Sequence, residues 1–211
     1  MTERPLRRDA ELNLERIVAA AQDVFAERGF DTSMEGIANR AGVGVGTLYR
    51  RFPNKECLLV AIFEMISRRT QQLVDEVLAT ATEADGIFEF MQQCVAMPSS
   101  LRLLVSRSPR LAETHLAMVE NLANPVTKLI ENAKEAGSIR ADVNFSDIAL
   151  ILLSVRAVED RWDGGDADAK LGRQQSERHL QLLIDGLRVK DSLLPHHSLS
   201  RTQLDDLLVR E

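Results

Sequence analysis

Residues 41–52 read AGVGVGTLYRRF, from Ala41 to Phe52, and the fold turns on how this stretch is taken. Three glycines at alternate positions suit a loop that cradles phosphate. Thr47, Tyr49, Arg50 and Arg51 suit a helix laid against a nucleic-acid backbone. A dinucleotide fingerprint needs G-x-G-x-x-G directly after a strand, so that backbone can approach a pyrophosphate at a helix N-terminus. Here the pair Gly42/Gly44 is followed by Thr47 and the pair Gly44/Gly46 by Tyr49, so neither completes it. No Walker lysine follows, and the preceding residues Met34–Arg40 carry a helical pattern. The stretch is therefore expected to be a tight inter-helix turn followed by a short helix.

The flanks agree. Leu14, Ile17, Val18, Ala21, Val24 and Phe25 recur at spacings of three and four and predict a helix from about 11 to 28, stopped by Gly29. Thr32-Ser-Met-Glu35 reads as a capping box, with Thr32 as cap and Glu35 reaching back. Ile37, Ala38 and Ala41 face inward from a short second helix, and Gly42 breaks it. Leu48 and Phe52 face inward from a third helix over 45–52, which leaves Val45, Thr47, Tyr49 and Arg50 outward. Pro53-Asn54 ends it, and Asn54 caps a long fourth helix. A helix, a glycine turn and a second short helix form a helix-turn-helix.

The remainder predicts helices near 84–96, 99–107, 109–136, 145–162, 168–189 and 200–209. Pro125 either kinks the 109–136 helix or starts a new one. Gly137 is a stop, Asn144-Phe-Ser-Asp147 a cap and Asp163-Gly-Gly-Asp166 a turn. Pro195-His-His-Ser198 separates a loose tail. The expected fold is all-α: an N-terminal three-helix helix-turn-helix domain (1–54, with a basic arm at 1–10), a larger helical domain (55–194) and a tail (195–211).

The chain has 211 residues, 45% hydrophobic and 4% aromatic, a composition that favours helix in a folded, soluble protein. Net charge is −6, which at first opposes a nucleic-acid partner. The distribution removes the objection: residues 1–55 balance at +1 and residues 56–211 at −7. Cys57 and Cys94 stand singly in apolar helical patterns and read as thiols in a reducing cytosol. No signal-peptide core and no membrane-length apolar run is found, so a cytoplasmic location is expected. His115, His179, His196 and His197 lack metal-ligand spacing, and no nucleophile elbow is found. No metal, cofactor or enzymatic activity is expected.

Residues 30–59, FDTSMEGIANRAGVGVGTLYRRFPNKECLL, resemble the DNA-binding domain of the TetR/AcrR family of bacterial transcription regulators. The likeness covers roughly 12–62, with T-S-M-x-x-I-A, A-G-V, G-T-L-Y-x-x-F and N-K-E in order. A fainter likeness to the family's C-terminal domain continues in Ala136–Asp142 and Leu182–Leu187. The resemblance implies that Thr47, Tyr49 and Arg51 meet phosphate, with a base as the other reach of Thr47, and that Lys55 at the start of helix four meets phosphate too. It places Val45 and Gly46 at the leading end in the major groove, with Thr32 and Ser33 near the backbone. Gly44 departs from the family's usual Ser or Thr, so base readout leans on Val45 and on Arg50 to guanine. The arm Arg4–Arg8 either enters the minor groove or is a solvated terminus.

One short helix reads few base pairs, so a homodimer on an inverted-repeat double-stranded DNA operator is expected. Ile148, Leu152, Val155, Leu180, Leu183, Ile184 and Leu187 form apolar stripes that either build a dimer bundle or serve as plain core. The resemblance also implies a small-molecule effector pocket, with ligand binding drawing the protein off DNA. Candidates for its lining are Met65, Phe90, Met91, Cys94, His115, Met118, Val119 and Trp162; ordinary core is the other reading of each. Arg156 pairs either with an acidic ligand or with Glu159/Asp160. The competing functions are an effector-independent architectural DNA-binding protein and a helical carrier or enzyme whose head no longer reads DNA.

Overall fold

The computed structural model describes residues 13–14, 16–25, 32–96, 109–159, 166–188 and 194–209. The basic arm, Gly29, the 99–107 helix, Trp162 and the turn residues 163–165 lie outside them. The described residues are all-α, with a single isolated antiparallel bridge between Ile139 and Arg188. Residues 16–25 lie in α1. There follow α2 (Met34–Ala41), α3 (Val45–Arg51), α4 (Lys55–Thr80), α5 (Gly86–Ala96), α6 (Pro109–Glu135), α7 (Phe145–Glu159), α8 (Asp166–Leu187) and α9 (Arg201–Val209).

The described residues fall into two compact units. The first takes those up to Ile66 and the part of α6 that ends at His115; the second takes Ser67–Ala96 and everything from Leu116 onward. The sequence places the domain boundary at 54/55, where α4 begins. The compact units divide inside α4, because Leu58, Leu59, Ile62 and Phe63 of its first turns complete the first core. That core also holds Ile17, Val18, Ala21, Val24 and Phe25 of α1, Ile37 and Ala38 of α2, and Leu48 of α3. In the second unit α7 packs along α8, and α5 packs on both.

Helix ends follow local chemistry, with one correction. The cap of α2 is Ser33, not Thr32: its Oγ accepts from the Gly36 N–H at 3.0 Å, while Thr32 is buried. The third helical position is then Gly36, so Glu35 cannot close a capping box and points elsewhere. Gly42 closes α2 in the left-handed region (φ 64°), where a side chain would be strained. Asn54 caps α4, its Oδ1 accepting from Cys57 N–H at 2.8 Å. Gly137 (φ 68°) ends α6, with Ser138 N–H reaching back to the Ala133 carbonyl at 2.9 Å. Asn144 and Asp147 form a reciprocal box at the start of α7: Asn144 Oδ1 accepts from Ser146 N–H, and Asp147 Oδ2 accepts from Asn144 N–H, both at 2.8 Å. Pro125 sits within α6, which continues through it.

The tail is docked. Asp142 Oδ2 accepts from Leu194 N–H at 2.7 Å, and the Leu199 carbonyl accepts from Asn144 Nδ2 at 3.4 Å. Arg201 lies over the Phe145 ring, 5.0 Å from its centroid, and Leu204 is fully buried. Ser200 and Gln203 box the start of α9. The sequence hid this because each anchor joins residues more than fifty positions apart, or a single leucine to a distant surface.

Candidate nucleic-acid interface

The first unit presents α3 by burying one side of it. Leu48 is fully buried and Phe52 nearly so, and Val45 is half-buried against the same core. Gly46, Tyr49, Arg50 and Arg51 are exposed, and Thr47 is half-buried. Seven residues make two turns, so anchoring at Leu48 and Phe52 forces the positions between them outward. The outward set expected from the sequence is brought together, except that Val45 gives part of its surface to the core.

Gly44 starts α3 with extended backbone and no side-chain cap; its carbonyl takes the Thr47 and Leu48 N–H groups at 2.8 and 3.1 Å. Gly46 is open: no heavy atom lies within 4 Å of where a Cβ would stand. Packing does not require glycine there, whereas close approach of a large partner to the helix backbone would. Lys55 is half-buried at the first position of α4, where the helix dipole favours an anion. Ser33 is exposed at the start of α2, and Thr32 beside it is buried.

Two contacts of this head escaped the sequence. Arg16 of α1 donates to the Ala41 carbonyl at 3.1 Å and so caps the C-terminal end of α2 beside the turn. Tyr49 donates its hydroxyl to Glu35 Oε1 at 3.0 Å, joining α3 to α2. That hydrogen bond, with smaller contributions from desolvation and from the Glu35 charge, raises the phenol above its ordinary pKa. Tyr49 is 41% exposed, so it is held by its hydroxyl and not by burial.

The residues expected to line a pocket divide between the units. Phe90, Met91 and Cys94 are buried in the second core, Met118 is half-buried against it, and Val119 is half-buried. Met65 packs against the first core, and the buried His115 meets Phe63 edge-on at 6.2 Å. Burial pushes the Cys94 thiol up to about 12, only partly opposed by Arg156, so it stays neutral and unreactive. Arg156 donates to the Cys94 carbonyl, a cation on the last turn of α5; Asp160 and the Glu159 side chain lie outside the described residues.

The α7 and α8 stripe, read from the sequence as dimer bundle or plain core, packs as follows. Ile148, Val155, Leu180, Ile184 and Leu187 are buried within their own chain, and Leu152 and Leu183 are half-buried against that core. The stripe is spent on packing α7 to α8. Apolar residues outside the core include Leu171 and Leu182 of α8, both exposed, with half-buried Leu150 and Leu153 on α7.

A helix-turn-helix whose second helix exposes Tyr and Arg, beside a separate helical unit, defines a DNA-binding regulator. The comparisons agree. Residues 17–62 match the family of bacterial regulatory proteins named for tetR, and residues 82–189 match the SbtR-like transcriptional regulator C-terminal domain. A TetR transcription regulatory protein from Mycobacterium vanbaalenii is 32% identical, with 88% of this chain and 100% of that one covered at a TM-score of 0.59. The TetR regulator SCO0520 from Streptomyces coelicolor is 31% identical over 83% of this chain and 98% of its own, at 0.56. The transcriptional regulator UidR of Escherichia coli is 26% identical, covering 71% of this chain and 81% of its own length. The chain belongs to the TetR family of DNA-binding transcriptional regulators. No helix among the described residues is long and apolar enough to cross a membrane.

Proposed function

We propose that this regulator is a homodimeric, cytoplasmic repressor that leaves an inverted-repeat operator when a small molecule binds its second unit. The observation that carries the proposal is the outward face of α3, with Gly46 open and Tyr49, Arg50 and Arg51 exposed around a buried Leu48. Tyr49, Thr47, Arg51, Ser33 and Lys55 contact phosphates and set the register. Gly46 lets the backbone into the major groove, and Val45 and Arg50 touch base edges. Thr32 is buried and contributes no contact of its own.

Seven residues reach too few base pairs for a genomic address, which favours two heads on a two-fold site. The apolar side chains that α7 and α8 keep outside the core supply a surface for the second copy, with Leu182 and Leu171 at its centre and Leu152 and Leu183 beneath. The effector site draws on the half-buried Met118 and Val119 of the second unit. The deep burial of Phe90, Met91 and Cys94 favours the alternative of an effector-independent DNA-binding protein, in which these residues are only core.

Selection of bound duplexes from a random library tests the proposal. An inverted repeat is expected, with half-site centres about one helical turn apart or a multiple of it. Affinity should fall steeply between two salt concentrations, because phosphate contacts release counterions. Recovery of a single unrepeated half-site, or binding indifferent to salt, would overturn the dimeric DNA reader. A metabolite library that never releases the recovered operator would favour the effector-independent alternative.

A further inference from the structure

We infer that Glu35 is a brake on DNA affinity that acts through Tyr49: the carboxylate holds the hydroxyl that a DNA phosphate must capture. The inference rests on the proposed DNA contacts and adds a residue that works against them. Glu35 lies in the first turn of α2 and is exposed, as is Tyr49 of α3, and the two are joined at 3.0 Å. The first turn of a helix favours a carboxylate, so Glu35 is stable where it stands without any partner. A phenol has one proton to donate. While Glu35 accepts that proton, a phosphate oxygen cannot.

Two costs therefore oppose docking. The Tyr49–Glu35 hydrogen bond is charge-assisted on the acceptor side and has to be exchanged for a bond to another anion. The carboxylate is then left beside a phosphate of the same sign, in a segment (residues 1–55) whose net charge is only +1. Because phosphate contacts carry no sequence information, the brake acts on every duplex alike. It keeps affinity within the range from which a modest coupling free energy can release the protein. Glu35 is thus a positioning residue, setting where the Tyr49 hydroxyl points and what it costs to turn it.

Tyr49 is the only tyrosine in the chain, so its ionisation can be read directly by absorbance in the full-length protein. Glu35→Ala should bring the phenol titration down towards its ordinary value of about 10. The same variant should bind a random-sequence duplex and the selected operator about three- to tenfold more tightly, the scale of one exposed like-charge contact plus one exchanged hydrogen bond. Glu35→Gln, which removes the charge and keeps an acceptor, should fall between Glu35→Ala and the native protein. In a Tyr49→Phe background the gain from Glu35→Ala should shrink to the like-charge part alone, about twofold, since no hydroxyl remains to be released.

Equal gains in both backgrounds would overturn the inference, leaving Glu35 a bare surface charge. So would weaker binding by Glu35→Ala, or a phenol titration that does not move. Failure of the native protein to bind any duplex at low salt would overturn the DNA-reading proposal itself. The absorbance titration would in that case still report whether the tether exists, so the two failures are distinguishable.

Discussion

A Cβ on Gly46 would meet nothing within 4 Å, so glycine at this helical position is unexplained by the protein's own packing. Gly46→Ala should stabilise the free protein by about 0.5–1 kcal/mol, the ordinary gain of alanine over glycine in a helix, while weakening operator binding. A thermal melt and a DNA titration on the same sample check both halves; retained affinity would mean that the α3 backbone does not approach a duplex at Gly46. Gly44 offers the opposite case. A Cβ there would stand 3.7 Å from Thr47 Oγ1, so Gly44→Ser fits and supplies the absent cap, adding a few tenths of a kcal/mol. The sequence made these glycines legible because spacing alone excludes a dinucleotide loop and puts Leu48 inward. It could not show the Tyr49–Glu35 bond, which links two exposed residues fourteen positions apart through the crossing of α2 on α3.

Helix ends were legible where the cap is local and ambiguous where two hydroxyls compete. Thr32 and Ser33 are both good caps, and Thr32 has the better sequence signature because Glu35 follows at the right interval. Ser33 wins because the core takes Thr32, an outcome of tertiary packing. Ser33→Ala should therefore cost about 1 kcal/mol of stability in chemical denaturation, with a smaller loss for Thr32→Ser. Pro125 shows the converse. Its missing N–H predicts a break, yet Leu122 before it and Val126, Leu129 and Ile130 after it are all buried, and burial on both sides holds one helix. The α7 and α8 stripe left two readings open for the related reason that an apolar face does not name its partner. Periodicity found the faces of α7 and α8, and their packing against each other within one chain used most of them.

At the scale of the whole molecule, two cores are closed by different parts of the chain, and the tail belongs to the second. Its lock is Asp142, which accepts a two-point fork from the buried Arg140 at 3.0 and 3.1 Å and the Leu194 N–H at 2.7 Å. The Arg140 hydrogen bonds first, and Leu194 after them, hold its carboxyl at about 2, below the ordinary carboxylate value. The folded state therefore keeps the charged form more tightly than the unfolded chain does. The stabilisation is complete above pH about 4 and is lost as pH falls through about 2. Asp142→Asn should be less stable than the native protein at neutral pH, with the difference shrinking below pH about 4 and closing as pH falls through about 2; curves that stay parallel would remove Asp142 as the lock. Assembly can be tested at the same scale: Leu182→Glu should leave the helical content intact, shift the protein towards monomer in sedimentation, and lower operator affinity by at least about tenfold, because one head alone reads half the site.

The sequence by itself determined the all-α class, the position of the helix-turn-helix and most of the outward face of α3, because each follows from contacts within a few residues or from a 3.6-residue period. Tertiary structure alone decided which hydroxyl caps α2, what holds Tyr49, where Arg156 and the tail are anchored, and that the apolar stripe of α7 and α8 is interior. Those outcomes depend on which distant surfaces meet. Burial is fixed by the partner across the interface as much as by the residue itself, and a one-dimensional pattern carries the second but not the first.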